Sequence, residues 1–149
     1  MIYKCSLESL INKDSEVINE ISKYQGLSVL YKFHNIILDK YYVGITKRAI
    51  LNRLYSSKFG HIYKIINNKD LGRLHKDVIL RGYAEFEFII DSIYEDIDDL
   101  SNAEISEIER LNSFYNGYNG NLGGLGSNGL IVITNGLVNK RIKPNEKNS

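Results

Sequence analysis

Two short runs, residues 28–33 and 41–45, constrain this chain more than any other feature. Both are rich in β-branched and aromatic side chains, and a turn-like stretch, 34–40, joins them, so they read as an antiparallel hairpin. If the turn centres on Ile36-Ile37, Tyr31 and Tyr42 face each other on one side of it. Around the hairpin the pattern becomes helical. Residues 6–25 place Leu7, Leu10, Ile11, Val17, Ile18 and Ile21 on one stripe. Thr46 is a candidate N-cap for a helix carrying Ile50, Leu51, Leu54 and Tyr55. Two more helical stretches follow, the second bearing Leu71, Leu74, Val78 and Ile79 and stopping at Arg81-Gly82. Residues 85–90 alternate strictly, with Phe86, Phe88 and Ile90 on one face, and predict a half-buried strand. A helix over 101–111 opens with Ser101 and Glu104 in capping-box spacing. Beyond the glycine- and asparagine-rich loop 116–129, Asn135-Gly136 signals a second hairpin over 130–142. The order β-β-α-α-β-α points to a small α/β sandwich with a mixed or antiparallel sheet.

With 149 residues, the chain suits one domain. One cysteine, Cys5, excludes an internal disulfide framework and a zinc site of paired cysteines. No apolar run is long enough to span a bilayer, and no signal-peptide layout opens the chain. A soluble, cytoplasmic protein without membrane association is the expectation. Net charge is +1, but its distribution is uneven. Residues 28–77 hold ten Lys/Arg against three acids, whereas 82–109 hold ten Asp/Glu and no Lys or Arg. The first segment suits a polyanion and the second a cation or a solvated face.

Several motifs are excluded by context. Gly124-x-Gly126-x-x-Gly129 matches the dinucleotide fingerprint, but it follows a helix and loop and precedes a strand, the reverse of what that site needs. There is no phosphate-binding Gly-x-x-x-x-Gly-Lys loop and no nucleophile elbow. The remaining candidates have two readings each. Tyr31 and Tyr42 are packing residues or site residues, and Arg53 lies beside the apolar stripe of its helix. His75 falls on an apolar face and reads as a partly buried structural histidine. Glu104 is either a cap or a carboxylate aimed at the protein body, since it shares a face with Ile108 and Leu111.

Taken in order, these residues resemble the GIY-YIG nuclease superfamily. Val29-Leu30-Tyr31 and Tyr42-Val43-Gly44, eleven residues apart tyrosine to tyrosine, are similar to its two signature strands. Arg53, then Leu74-His75-x-x-x-Ile79-x-x-Gly82-x-x-x-Phe86, Glu104, Gly117-Tyr118-Asn119 and Gly123-Gly124-x-Gly126 continue the match. It spans residues 28–126, with 1–27 as an added N-terminal helical extension and 127–149 as a C-terminal β-hairpin and tail. The sequence departs from the pattern at Val29, Leu30 and Val43, and Ser57 stands one turn after Arg53 where relatives place a histidine or tyrosine. His61, four residues further on, is expected to fill that role, with Tyr55 the second choice.

The resemblance implies an α/β sandwich whose short central sheet is flanked by helices, and a metal-dependent endonuclease of the phage or homing kind. Glu104 would hold Mg²⁺ or Mn²⁺, Arg53 would clamp the phosphate, and Tyr31 would activate or position water. Tyr42 would hydrogen-bond the phosphate or Tyr31, His61 would accept a proton, and Asn119 would fix the backbone of the site. Lys32, Lys47, Arg48 and Lys58 are the expected DNA contacts. A protein partner or homo-oligomerisation would assist site recognition. The alternative is a noncatalytic DNA-binding or protein-interaction module on the same fold.

Overall fold

The computed structural model describes residues 1–123; the hairpin expected at 130–142 and the glycine motif at 124–129 lie outside the described residues. The elements run β1 (Tyr3–Ser6), α1 (Leu7–Ile11), α2 (Ser15–Ser22), β2 (Ser28–Asn35), β3 (Lys40–Thr46), α3 (Ile50–Tyr55), α4 (His61–Asn67), α5 (Arg73–Arg81), β4 (Phe86–Tyr94) and α6 (Ile97–Leu111). The four strands form one antiparallel sheet in the order β1-β4-β2-β3. No helix among the described residues is long and apolar enough to cross a membrane.

Strand alternation divides the core between the two faces of the sheet. On one face Val29, Tyr31 and Phe33 of β2 and Phe86, Phe88 and Ile90 of β4 pack with Leu7, Leu10, Ile50, Leu54, Ile62, Leu74 and Val78. On the other, Leu30 and Val43 pack with Leu100 and Ile108 of α6. β2 is central and buried along most of its length, so even its polar Lys32 and Asn35 are enclosed beside Val29, Leu30, Tyr31 and Phe33. The Arg81-Gly82 stop holds: Gly82 sits at φ +93 and its N–H donates to the Val78 carbonyl.

Four expectations are corrected. The N-terminal segment is not wholly helical, because Tyr3–Ser6 adds an edge strand to β4. Those residues alternate half-buried and exposed over only four positions, too few to register as a period. The hairpin turns about Ile37 and Leu38, so Tyr31 lies opposite Gly44, and Tyr42 opposite Phe33. The two tyrosines share a face but sit diagonally, with ring centroids 6.4 Å apart. Ala49, not Thr46, precedes α3, and Thr46 ends β3.

The last correction bears on the site. α6 starts four residues before Ser101, capped by Asp96, whose side chain accepts from the Asp98 and Asp99 N–H groups. Glu104 is therefore mid-helix, and helix capping no longer accounts for it.

Candidate active site

Tyr31 is the centre of the site. Its ring is fully buried among Phe33, Phe88, Tyr42 and His61, and it lies across Gly44 on the neighbouring strand. A Cβ on Gly44 would overlap the Tyr31 ring and stand 2.6 Å from its Oη, so the glycine is there because the tyrosine needs the space. A one-residue bulge on β4, where Leu30 pairs with Ser92 but Tyr31 with Ile90, falls beside the same residue.

His61 does reach Tyr31. The route is the loop 56–60, folded back so tightly on the end of α3 that a Cβ on Gly60 would stand 2.7 Å from the Leu54 carbonyl and from Ser56 backbone atoms. Gly60 thereby starts α4 with His61 pointing into the core, its Nε2 2.9 Å from Tyr31 Oη. His61 Nδ1 is in turn 2.9 Å from His75 Nε2, and the Gly72 N–H donates to His75 Nδ1 at 2.9 Å. Burial drives both imidazoles toward the neutral form. It holds His61 well below the usual histidine range, reinforced by His75, Arg53 and Lys64. It brings His75 down to about 4, reinforced by Lys64 and Arg53.

Arg53 completes the cluster. Its charge is coupled to the Tyr31 and Tyr42 hydroxyls, which favour the charged guanidinium against its partial burial. Its Nε is buried with no hydrogen-bond partner among the described residues. Burial raises the pKa of both tyrosines, and the Arg53 charge works against that rise in each. Glu104 acts on the same two hydroxyls in the opposite sense. Gly123, at φ +91, closes on Glu104 so nearly that a Cβ there would stand 3.3 Å from its Cγ and Oε1. The Glu104 charge acts on the same hydroxyls as Arg53, and a single hard carboxylate is enough for Mg²⁺, which keeps most of its water shell. Among the described residues no group of three His, Cys, Asp or Glu side chains could hold a metal.

Asn119 works on the backbone. Its side chain accepts from Val43 N–H and donates to Val43 C=O, both at 2.8 Å, and the Ser113 hydroxyl donates to the same Oδ1 at 2.7 Å. The Tyr118 N–H adds a bond to the Tyr41 carbonyl, and Gly117 allows the approach, since a Cβ there would stand 2.7 Å from that oxygen. Tyr55, the second choice for the histidine's place, donates to the Leu10 carbonyl instead and ties α3 to α1.

The four expected DNA contacts separate. Lys47 and Arg48 precede α3 and Lys58 follows it, all exposed, so they flank the helix that carries Arg53. Lys58 Nζ stands 5.6 Å from the ring centre of Phe59, itself 58% exposed. Lys32 is a correction. One residue on from Tyr31, it points to the opposite face, where it is buried and paired with Glu107 at 2.6 Å and Asp91 at 3.2 Å. The sequence reading also missed that His75 touches His61; the two stand fourteen residues apart on separate helices, and no local spacing links them.

No protein-family model and no curated protein matches the chain. Among solved structures, it is similar to a point mutant of the catalytic domain of intron endonuclease I-TevI, with a TM-score of 0.55 and 24% identity. The match covers 67% of this chain and 99% of that domain. The antiparallel sheet, its flanking helices and this similarity together give the chain a GIY-YIG-like α/β fold.

Proposed function

We propose that the protein is a metal-dependent DNA endonuclease that hydrolyses phosphodiester bonds, of the kind carried by phages or mobile elements. One observation carries the reading: Tyr31, Tyr42, His61 and Arg53, from four different elements, converge where the Glu104 charge also acts. A packing role explains buried tyrosines, but it does not explain a buried guanidinium nitrogen that has no partner among the described residues. Arg53 as a residue is only half-buried, and the planar fork of arginine suits a nonbridging phosphate oxygen. That the similar solved structure belongs to an intron endonuclease favours the mobile-element class.

Tyr31 Oη positions the attacking water, whose proton passes to a nonbridging phosphate oxygen as the bond to phosphorus forms and the bond to the leaving oxygen breaks. Arg53 neutralises charge gathering on the nonbridging oxygens. Tyr42 adds a hydrogen bond at the same phosphate. Glu104 would hold Mg²⁺ or Mn²⁺, which when bound stabilises the developing charge and the leaving oxygen. Lys47, Arg48 and Lys58 contact the DNA backbone, an attraction without sequence information.

The test is nicking of supercoiled plasmid with Mg²⁺ or Mn²⁺, with EDTA and Glu104→Gln as controls. The expected outcome is cleavage that requires metal and disappears in the variant. DNA binding without cleavage under every metal and pH tried would instead support a binding module on the same fold.

A further inference from the structure

The two buried histidines form a directional chain, and its direction is set from one end. A backbone N–H can only donate, so the Gly72 N–H fixes His75 Nδ1 as an acceptor. His75 is the third residue of α5, and it reaches back to the cap position as a glutamate does in a capping box. A neutral imidazole with a lone pair on Nδ1 carries its hydrogen on Nε2. That hydrogen meets His61 Nδ1, which must accept, and the hydrogen of His61 is left on Nε2, facing Tyr31 Oη. Protonating either ring would set two donors against each other. Charges around the pair oppose protonation as well: Arg53 from α3 and Lys64 from α4 act on both rings, while the uncharged Tyr31 and Tyr42 meet His61 from β2 and β3.

We propose that His75 is a positioning residue that holds His61 in the Nε2–H tautomer, so that His61 donates a hydrogen bond to Tyr31 Oη. This reverses the direction expected from sequence, in which His61 accepts a proton. A fixed N–H donor occupies a lone pair of the Tyr31 oxygen and leaves its hydroxyl hydrogen to orient the reacting water. The bearing on catalysis rests on the nuclease reading; the polarity of the chain does not.

Long-range ¹H–¹⁵N correlation spectra of the full chain, recorded without DNA or metal, test the polarity directly. Both rings are expected as Nε2–H tautomers that stay neutral through the physiological pH range. A hydrogen on Nδ1 of either ring overturns the proposal. In His75→Leu the Nε2–H form of His61 should cease to dominate, and an unchanged tautomer would show that His75 does not set it. His75→Gln retains an amide donor for His61 and an oxygen for the Gly72 N–H, and it should restore the wild-type tautomer. If His75→Leu does not fold, that glutamine variant decides, and a His61 hydrogen on Nδ1 there overturns the proposal. In the nicking assay His75→Leu should lose about 10- to 100-fold in rate, the range typical of outer hydrogen-bond partners, with glutamine near wild type. Equal rates in all three would refute the catalytic consequence. A wild type that never cleaves would refute the nuclease reading while the spectra still report on the histidines.

Discussion

The two faces of the sheet handle buried polarity in opposite ways. On the α6 face, Lys32 is enclosed by Asp91 and Glu107, and Glu107 is also gripped by Arg110 at 2.6 and 2.9 Å. His34 there lies between Glu87 and Asp39 at 2.8 Å each and stacks on Tyr41. Each of these side chains finds its counterpart within the chain. On the Tyr31 face, the histidines are neutral and a guanidinium nitrogen has no partner among the described residues. Saturation marks a structural cluster, and a guanidinium short of partners among the described residues marks a candidate site.

The largest test of that contrast is Arg53→Lys, which keeps the charge and loses the fork. Cleavage should fall by about 100-fold or more in single-turnover assays, with folding intact by circular dichroism. A variant that cuts normally would remove Arg53 from the site. Gly44→Ala comes next. The added methyl has no space beside Tyr31, so stability should drop by about 1–3 kcal/mol in urea titration and nicking should fall with it.

Lys32→Met should affect stability alone. It leaves two carboxylates facing each other, and a loss of about 1–3 kcal/mol is expected, below that of a fully buried pair because both acids keep some water. DNA affinity in the same variant should match wild type; a clear loss would return Lys32 to the binding surface.

Acid should weaken both faces, in different windows. His75 has its pKa lowered from 6.5 to about 4, so the folded state binds its proton less readily than the unfolded chain. Its contribution is complete above pH 6.5 and declines as pH falls toward about 4. Glu107 is lowered from 4.5 to about 2, chiefly by the Arg110 hydrogen bonds, and its contribution is complete above pH 4.5 and declines toward about 2. Denaturation midpoints measured across pH should show a shallower upper decline in His75→Gln, where His61 alone still contributes, and should lose the lower one in Glu107→Gln. A single decline untouched by either variant would break the comparison. The smallest effect belongs to Lys58→Ala, which should weaken DNA binding modestly and reduce the slope of affinity against salt by about one.

Much of the fold and part of the candidate site were legible because they depend on local pattern. The aromatic and β-branched runs announced β2 and β3, and the spacing of Tyr31, Tyr42, Arg53 and Glu104 survives as proximity because a rigid sheet and helices carry them. Lys32 was legible too: strand alternation alone sends it to the face opposite Tyr31, and its charge count misled. The arrival of His61 was not. It depends on Gly60 turning the chain back on α3, a close approach between backbones that spacing does not encode. The true start of α6 was hidden because Asp96 is one acid among many in that stretch, whereas Ser101 and Glu104 imitate a cap.

The Asn119 clamp reaches further than the candidate site. β3 is an edge of the sheet, and an edge strand offers its outward amides and carbonyls to any extended segment that can zip onto it. Here the outward groups of Val43 are taken by Asn119 and the Tyr41 carbonyl by Tyr118. Strand addition along the middle of β3 is thereby blocked. A second copy or another protein joining this domain must meet it through helices, loops or the short β1 edge, and the strand beside Tyr31 keeps its register while it does so.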